Sequence, residues 1–434
     1  MEMMEIMILL ILLIMMNLNL YLVSLFMYMI SLMYLFKLSW IDWFYQMFNF
    51  GFNYYSMGML IMTFWLGGLI LMNLMNEHYL NIYLNIIMFM IMLINFFSMN
   101  LLVYYFMFEI SLLLIFIIIM NWGFSVDRIL SSFYLMFYTM VFSLPTLLIL
   151  FTLLNLNKSL DFIMLEFYGN NLMNLLMIYL MMVFLIKVPM YMFHSWLLKA
   201  HVEAPFYSSM ILASIMLKLG GYGLIRLFNM FKYLYNFMYY FIVISFMGML
   251  MLSLMCLIQL DMKILVAISS VVHMMLMLVG LFTFMKVGFL GSYLMMISHG
   301  FSSSGLFYLI NIIYVNSNSR LMFINKGMII FMPSMSLMWF LLCSLNMAVP
   351  LTLNLISEIM LFISIIYFMK FMIIFMMMYC LFSFLYSLYL FSYIQHGFSL
   401  NLKNIFSGSI FNYFILLMHW LPMNLLILNL NFII

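Results

Sequence analysis

Two acidic and two basic residues stand alone in long apolar runs, and each is a group that changes charge by one proton. Glu109 is the one charge between Glu77 and Asp127. It lies eight residues into the run that opens at Leu101, about 12 Å along a helix that rises about 1.5 Å per residue. Glu358 falls eight residues past Pro350 and twelve before Lys370, with Leu, Ile and Met around it. Lys187 ends a stretch of fifteen uncharged residues that starts at Leu172. Lys218 follows Ser208, Ser209, Ala213 and Ser214 and precedes Gly220, Gly221 and Gly223, small residues that let helices approach closely and bury the ammonium. A charge at such depth costs several kcal/mol unless it is paired, hydrated or neutralised. Side chains of this kind carry protons or hold one another as ion pairs. Lys187 admits both a structural reading, donating to carbonyls freed at the Pro189 break, and a functional one, as partner to a carboxylate.

His273 and His299 stand about ten and thirteen residues past Lys263 and Lys286. Each is either a relay group or a satisfied core histidine. The segment Ser298-His299-Gly300-Phe301-Ser302-Ser303-Ser304-Gly305 suits a locally unwound, hydrated stretch. The most polar part of the middle runs from Tyr191 to Pro205. There His194 and His201, seven apart, share a helical face, while Lys199 and Glu203 can pair one turn apart. This stretch reads either as an interfacial cap or as a linking path for protons. His78 and His396 lie near predicted helix ends, and these two and His419 carry no assigned role.

Other chemistries are not signalled. There is no GxGxxG, no Walker lysine loop, no CxxC and no HExxH, so the expectation is no metal site, no cofactor-binding site and no redox centre on this chain. Cys256, Cys343 and Cys380 occur singly in apolar runs and read as structural thiols. The net charge is +3 with the basic residues scattered, which gives no footprint for nucleic acid.

These groups must be positioned by helices in a bilayer. Of 434 residues, 70% are apolar and 6% charged, far from the balance that covers a soluble globule. The apolar runs are long and continuous, without the alternation of barrel strands. The expected class is therefore all-α and polytopic. Cutting at charges, Pro, Gly and Asn clusters gives about fourteen transmembrane helices, at 3–16, 18–36, 56–75, 81–98, 101–121, 131–154, 172–198, 206–228, 236–258, 262–282, 287–313, 328–366, 371–394 and 408–430. The run at the N-terminus lacks a basic start and a cleavage site and reads as a retained first span. The whole of 1–434 is expected to be one transmembrane domain, since no loop is long enough to fold alone. Val188-Pro189 and Val349-Pro350 sit in two long runs, and proline inside a helix interrupts it. Matching broken helices mark the halves of transporters built from repeats, though two unrelated kinks would look the same. The 59 methionines, beside scarce Ala, Arg, Gly and Pro, are in keeping with an organelle gene.

The block Lys187-Val188-Pro189, His194, Lys199-Ala200-His201-Val202-Glu203-Ala204-Pro205 and Leu217-Lys218-Leu219-Gly220-Gly221-Tyr222-Gly223 resembles the antiporter-like subunits of respiratory complex I. Asp261-Met262-Lys263, Ser269-Ser270-Val271-Val272-His273, Ser298-His299-Gly300 and Asn354-Leu355-Ile356-Ser357-Glu358 extend the resemblance. It implies fourteen helices with two inverted five-helix repeats, broken near Pro189 and Pro350. The corresponding parts are N-terminal helices at 1–75, a first repeat at 81–228, a second at 236–394 and a C-terminal helix at 395–434. It implies an ion pair between Glu109 and Lys187, Lys218 as central proton carrier, His273 and His299 as relay and Glu358 as the exit-side group. His194, Lys199, His201, Glu203, Asp261 and Lys263 take supporting or linking places. It further implies a multi-pass protein of the mitochondrial inner membrane, with neighbouring antiporter-like subunits as partners. NAD, FMN, iron-sulfur clusters and ubiquinone are then expected in other subunits, and the work is proton translocation coupled to their electron transfer. A secondary cation/proton antiporter subunit of similar fold is the alternative. One departure is Tyr207-Ser208-Ser209, where smaller residues are usual, so helix packing should differ there.

Overall fold

The computed structural model describes residues 19–38, 45–47, 50–75, 77–168, 174–398 and 408–428. The predicted span 3–16 lies outside them; each of the other thirteen contains a helix. In chain order these are α1 Leu20–Leu38, α2 Tyr54–Asn73, α3 Tyr79–Phe97, α4 Leu101–Trp122 and α5 Arg128–Asn157. A short α6 Phe162–Tyr168 leads to α7 Asn174–Lys187 and α8 Ser195–Glu203, the two halves of one interrupted helix. Next come α9 Phe206–Arg226, α10 Tyr235–Ile258, α11 Met262–Phe282 and α12 Lys286–Ser317. The second interrupted helix is α13 Pro333–Asn346 with α14 Leu353–Phe368, followed by α15 Met372–Gln395 and α16 Ile410–Leu428. A small antiparallel hairpin, Tyr45–Met47 with Phe50–Phe52, precedes α2. Nine of the described helices are long and apolar enough to cross a membrane unbroken.

Which helices lie inside follows from their polarity. α9 has a mean hydropathy of 1.4 and is buried on every side, whereas α4, at 2.5, turns half its surface outward. A helix covered by other helices need not be lipid-like, and its small and polar residues pack and hydrogen-bond to neighbours. α2, α9, α11 and α12 form this inner group, and three of them carry Lys218, His273 and His299.

The two Val-Pro sites prove to be one of several repeated features. Before α4, Leu101 donates to Leu160 O at 2.9 Å and Phe162 to Met99 O at 2.9 Å, an antiparallel bridge of Asn100 with Asp161. Before α11, Met262 donates to Arg320 O at 3.1 Å and Met322 to Leu260 O at 3.0 Å, bridging Asp261 with Leu321. Positions 100 and 261, like Pro189 and Pro350, are 161 apart. α5 and α12 both end on a left-handed residue, Lys158 at φ 60° and Asn318 at φ 53°. Each copy crosses five times, an odd number, so the second enters from the opposite side and the pair is inverted. The breaks themselves carry strained backbone, with Met192 at φ 83°, Ala348 at φ 54° and Leu351 at φ 68°.

The expected unwinding at Ser298–Gly305 does not occur: α12 is continuous through it. The serine hydroxyls bond back to their own helix, Ser303 to His299 O at 2.6 Å and Ser304 to Gly300 O at 2.9 Å, and so satisfy themselves without opening a turn. Gly220 shows what the small residues do. A Cβ there would lie 2.8 Å from Val188 Cγ2 and 3.0 Å from the carbonyl oxygen of Phe184, so the glycine presses α9 onto the first helix break. Gly220→Val is expected to destabilise the fold by about 1–3 kcal/mol through overpacking, read as a lower thermal unfolding midpoint.

Candidate functional site

Lys218 stands two residues beyond a π-helical turn, Leu212–Met216, that interrupts α9. Such a turn puts an extra residue into the helix and shifts its carbonyls out of register. The fully buried Lys218 Nζ takes one of them, Ala213 O, at 2.5 Å, and lies 2.9 Å from His299 Nδ1. The ammonium donates to a neutral imidazole across this contact; with the proton on Nδ1, the amine accepts it. Lysine and histidine therefore share one hydrogen position.

From His299 the polar groups continue. Its ring centroid is 5.6 Å from that of His273, at 42°. His273 Nε2 meets Tyr386 Oη at 3.2 Å and Nδ1 meets Tyr379 Oη at 3.3 Å. Tyr379 also donates to Glu358 Oε1 at 3.3 Å, and Nδ1 lies 3.6 Å from that oxygen. All of these residues are buried. Lys218, His299, His273 and Glu358 belong to α9, α12, α11 and α14, and each sits in the middle of its helix or, for Glu358, beside the break. Four of the six residues expected in the path thus lie side by side in one buried line, with His299 and His273 facing ring to ring and no hydrogen bond between them.

The other two are placed differently from expectation. No contact ion pair joins Glu109 and Lys187, although each lies within the other's field. Lys187 Nζ donates to Phe108 O at 3.1 Å and lies 2.5 Å from the centroid of the Phe108 ring, and a buried cation gains from both a carbonyl and a π face. Glu109 is half-buried, and its Oε1 has no hydrogen-bond partner. Beside Lys187 a cavity of about 10 Å³, close to one water in size, is walled by Leu112, Trp196, Leu212 and Met216. It therefore reaches the π turn that precedes Lys218.

The polar stretch near Pro205 is built around the end of α8. Lys263 donates to Val202 O at 3.2 Å and Ala204 O at 2.5 Å, and Arg320 donates to Val202 O at 2.6 Å. Two cations thereby cap the negative end of a half-helix. Asp261 sits at the start of α11 with one buried oxygen unpartnered, and burial raises its carboxyl above the usual range against the pull of Arg320 and Lys263. The expected Lys199–Glu203 pair does not form. Glu203 ends its helix and turns to Ser125, accepting from the backbone N–H at 3.1 Å and the hydroxyl at 2.5 Å, while the exposed Lys199 lies 3.6 Å over the Tyr134 ring. His201 is fully buried, stacked on Phe307 at 4.9 Å with neither ring nitrogen hydrogen-bonded. His194 is half-buried on Tyr191 at 5.7 Å, and no hydrogen bond links it to His201.

Sequence reasoning missed the π turn, Tyr379 and Tyr386. The two tyrosines are seven apart, and with Ser383 and Ser387 they form one polar face on an apolar helix, which was the available signal. His419, left without a role, is buried 3.2 Å from the Ser304 hydroxyl. Tyr207 fits because its hydroxyl meets Asn81 Nδ2 at 2.6 Å.

Comparison with known proteins identifies the family of the chain. A family model described as NADH:quinone oxidoreductase/Mrp antiporter, TM, matches residues 98–385. NADH-ubiquinone oxidoreductase chain 4 of Apis mellifera ligustica is 52% identical over 418 residues, 96% of this chain and 93% of that one. The chain of the same name from Ceratitis capitata is 41% identical over 389 residues, 87% of this chain and 86% of that one. Among solved structures, a chain of "Respiratory complex I from Thermus thermophilus with bound NADH" superposes with a TM-score of 0.83 at 17% identity, covering 94% of this chain and 91% of that one. A chain of an archaeal membrane-bound sulfane sulfur reductase gives 0.82 at 15% identity, covering 92% and 69%.

Proposed function

Since the chain belongs to the NADH:quinone oxidoreductase/Mrp antiporter transmembrane family, we propose that it is a proton-translocating membrane-arm subunit of complex I. It sits as a multi-pass protein in the mitochondrial inner membrane, beside other membrane-arm subunits that include further antiporter-like ones. The redox groups, NAD, FMN, iron-sulfur clusters and ubiquinone, belong to other subunits, and this chain carries none. The observation that supports this reading is the buried line Lys218, His299, His273, Glu358.

The residues suggest how charge elsewhere moves the proton. A change of protonation at Glu109 alters the field on Lys187, whose holds are one carbonyl and one ring. Lys187 then swings into the cavity toward the π turn, and the approaching positive charge drives the proton of Lys218 onto His299. The proton continues through His273 to Glu358. Lys263 and Arg320, which hold the carbonyls at the end of α8, fix that half-helix beside the path.

The test is NADH-driven acidification in membrane vesicles holding the intact complex. Acidification is expected to require NADH and quinone and to be indifferent to sodium and potassium gradients. Proton movement that follows a sodium or potassium gradient without NADH would favour a secondary antiporter and overturn the reading.

A further inference from the structure

Counting 161 residues on from Lys218 reaches Tyr379, which lies on the fifth helix of its own copy as Lys218 lies on the fifth of the first. Like Lys218 it is fully buried and meets a histidine.

We propose that the Tyr379 hydroxyl is the bridge through which the proton passes between His273 and Glu358. The inference rests on the proton-translocating reading above and adds a residue to it. Two distances decide the route. Nδ1 of His273 and Oε1 of Glu358 are 3.6 Å apart, beyond hydrogen-bonding reach. The Tyr379 oxygen is 3.3 Å from each, and small movements on binding a proton tighten such contacts.

A hydroxyl both accepts and donates, so it can pass one proton on as it receives another. The Nδ1–H bond of protonated His273 breaks as a new O–H bond forms on Tyr379. The original O–H bond of Tyr379 breaks as one forms on Glu358 Oε1. Imidazolium and carboxylate become imidazole and carboxylic acid, and the phenol begins and ends neutral. Once Glu358 has released its proton, rotation about the ring C–O bond returns the hydroxyl to its starting direction. Tyr386, on Nε2, is a positioning residue that fixes the imidazole so that Nδ1 faces Tyr379. The Tyr379 ring is held edge-on to Phe362 at 6.2 Å.

The test compares variants in the intact complex, with NADH-driven proton translocation as the readout. Tyr379→Phe keeps the ring and loses the hydroxyl, and should lower translocation about tenfold or more, the scale of a lost proton-transfer group. Tyr386→Phe should lower it about fivefold at most, the worth of one hydrogen bond. Tyr379→Gln can still donate and accept at this place but cannot relay a proton, and it should be as slow as the Phe variant. Wild-type translocation by either Tyr379 variant overturns the inference. So do equal losses in Tyr379→Phe and Tyr386→Phe, which would make both hydroxyls mere supports of His273. Failure of both Tyr379 variants to assemble would assign the residue to folding and overturn it as well. If the inference alone fails, the unmodified complex still pumps on NADH; if the function reading fails, it does not.

Discussion

Lys218→Met should assemble normally and lose proton translocation by about 10² or more, the range assigned to a positioned proton-transfer group. Two opposing terms set the cost to folding. Ala213 O and His299 Nδ1 lose a partner each, about 1–3 kcal/mol for a buried group left unmade. Against this, an ammonium is no longer withdrawn from water, and replacing buried charges by apolar groups of similar volume is often neutral or stabilising. Methionine matches the lysine stem in length, so the packing of α9 on α12 is retained. The measurement is proton translocation per assembled complex, with assembly followed on a native gel. Undiminished pumping by this variant would remove Lys218 from the path.

His273 is the second position with a large expected effect. It is the one residue of the line whose two ring nitrogens are both engaged, by Tyr386 and by Tyr379. His273→Leu separates His299 from Glu358 and should also reduce translocation by about 10². His273→Gln separates two meanings of this result. An amide restores hydrogen bonds to the tyrosines but takes up no proton near neutral pH, so a relay predicts equal loss in both variants. A purely structural histidine predicts recovery in Gln.

Lys218, Glu109 and Glu358 stood out in the sequence because a charge in an apolar run is costly unless it is paired, hydrated or neutralised, and the helices were legible because charges, Pro and Gly clusters cut the runs near their true ends. α11 was read at its observed bounds, and the breaks fell where Pro189 and Pro350 put them. Partners were harder. Lys187 found a carbonyl and a ring instead of Glu109, since a backbone acceptor exists at every residue and sequence does not say which is nearest. The serines of α12 suited a locally unwound, hydrated stretch but bonded within their own continuous helix. Tyr379 and Tyr386 were hidden among 30 tyrosines, their one signal being the polar face they share with Ser383 and Ser387. The π turn falls on Leu212–Met216, residues that suit an ordinary helix equally well.

The placement of Lys218, His299 and His273 at mid-helix, with Glu358 beside the second break, has an electrical consequence. A charge crossing the bilayer does work of about 2.3 kcal/mol for every 100 mV of transmembrane voltage, but a charge moving in the plane of the bilayer does almost none. If protons pass along this line as proposed, transfer from one inverted copy to the other runs across the helices, so the voltage would neither drive nor oppose it. The work against the field would then fall on the legs at either end of the line.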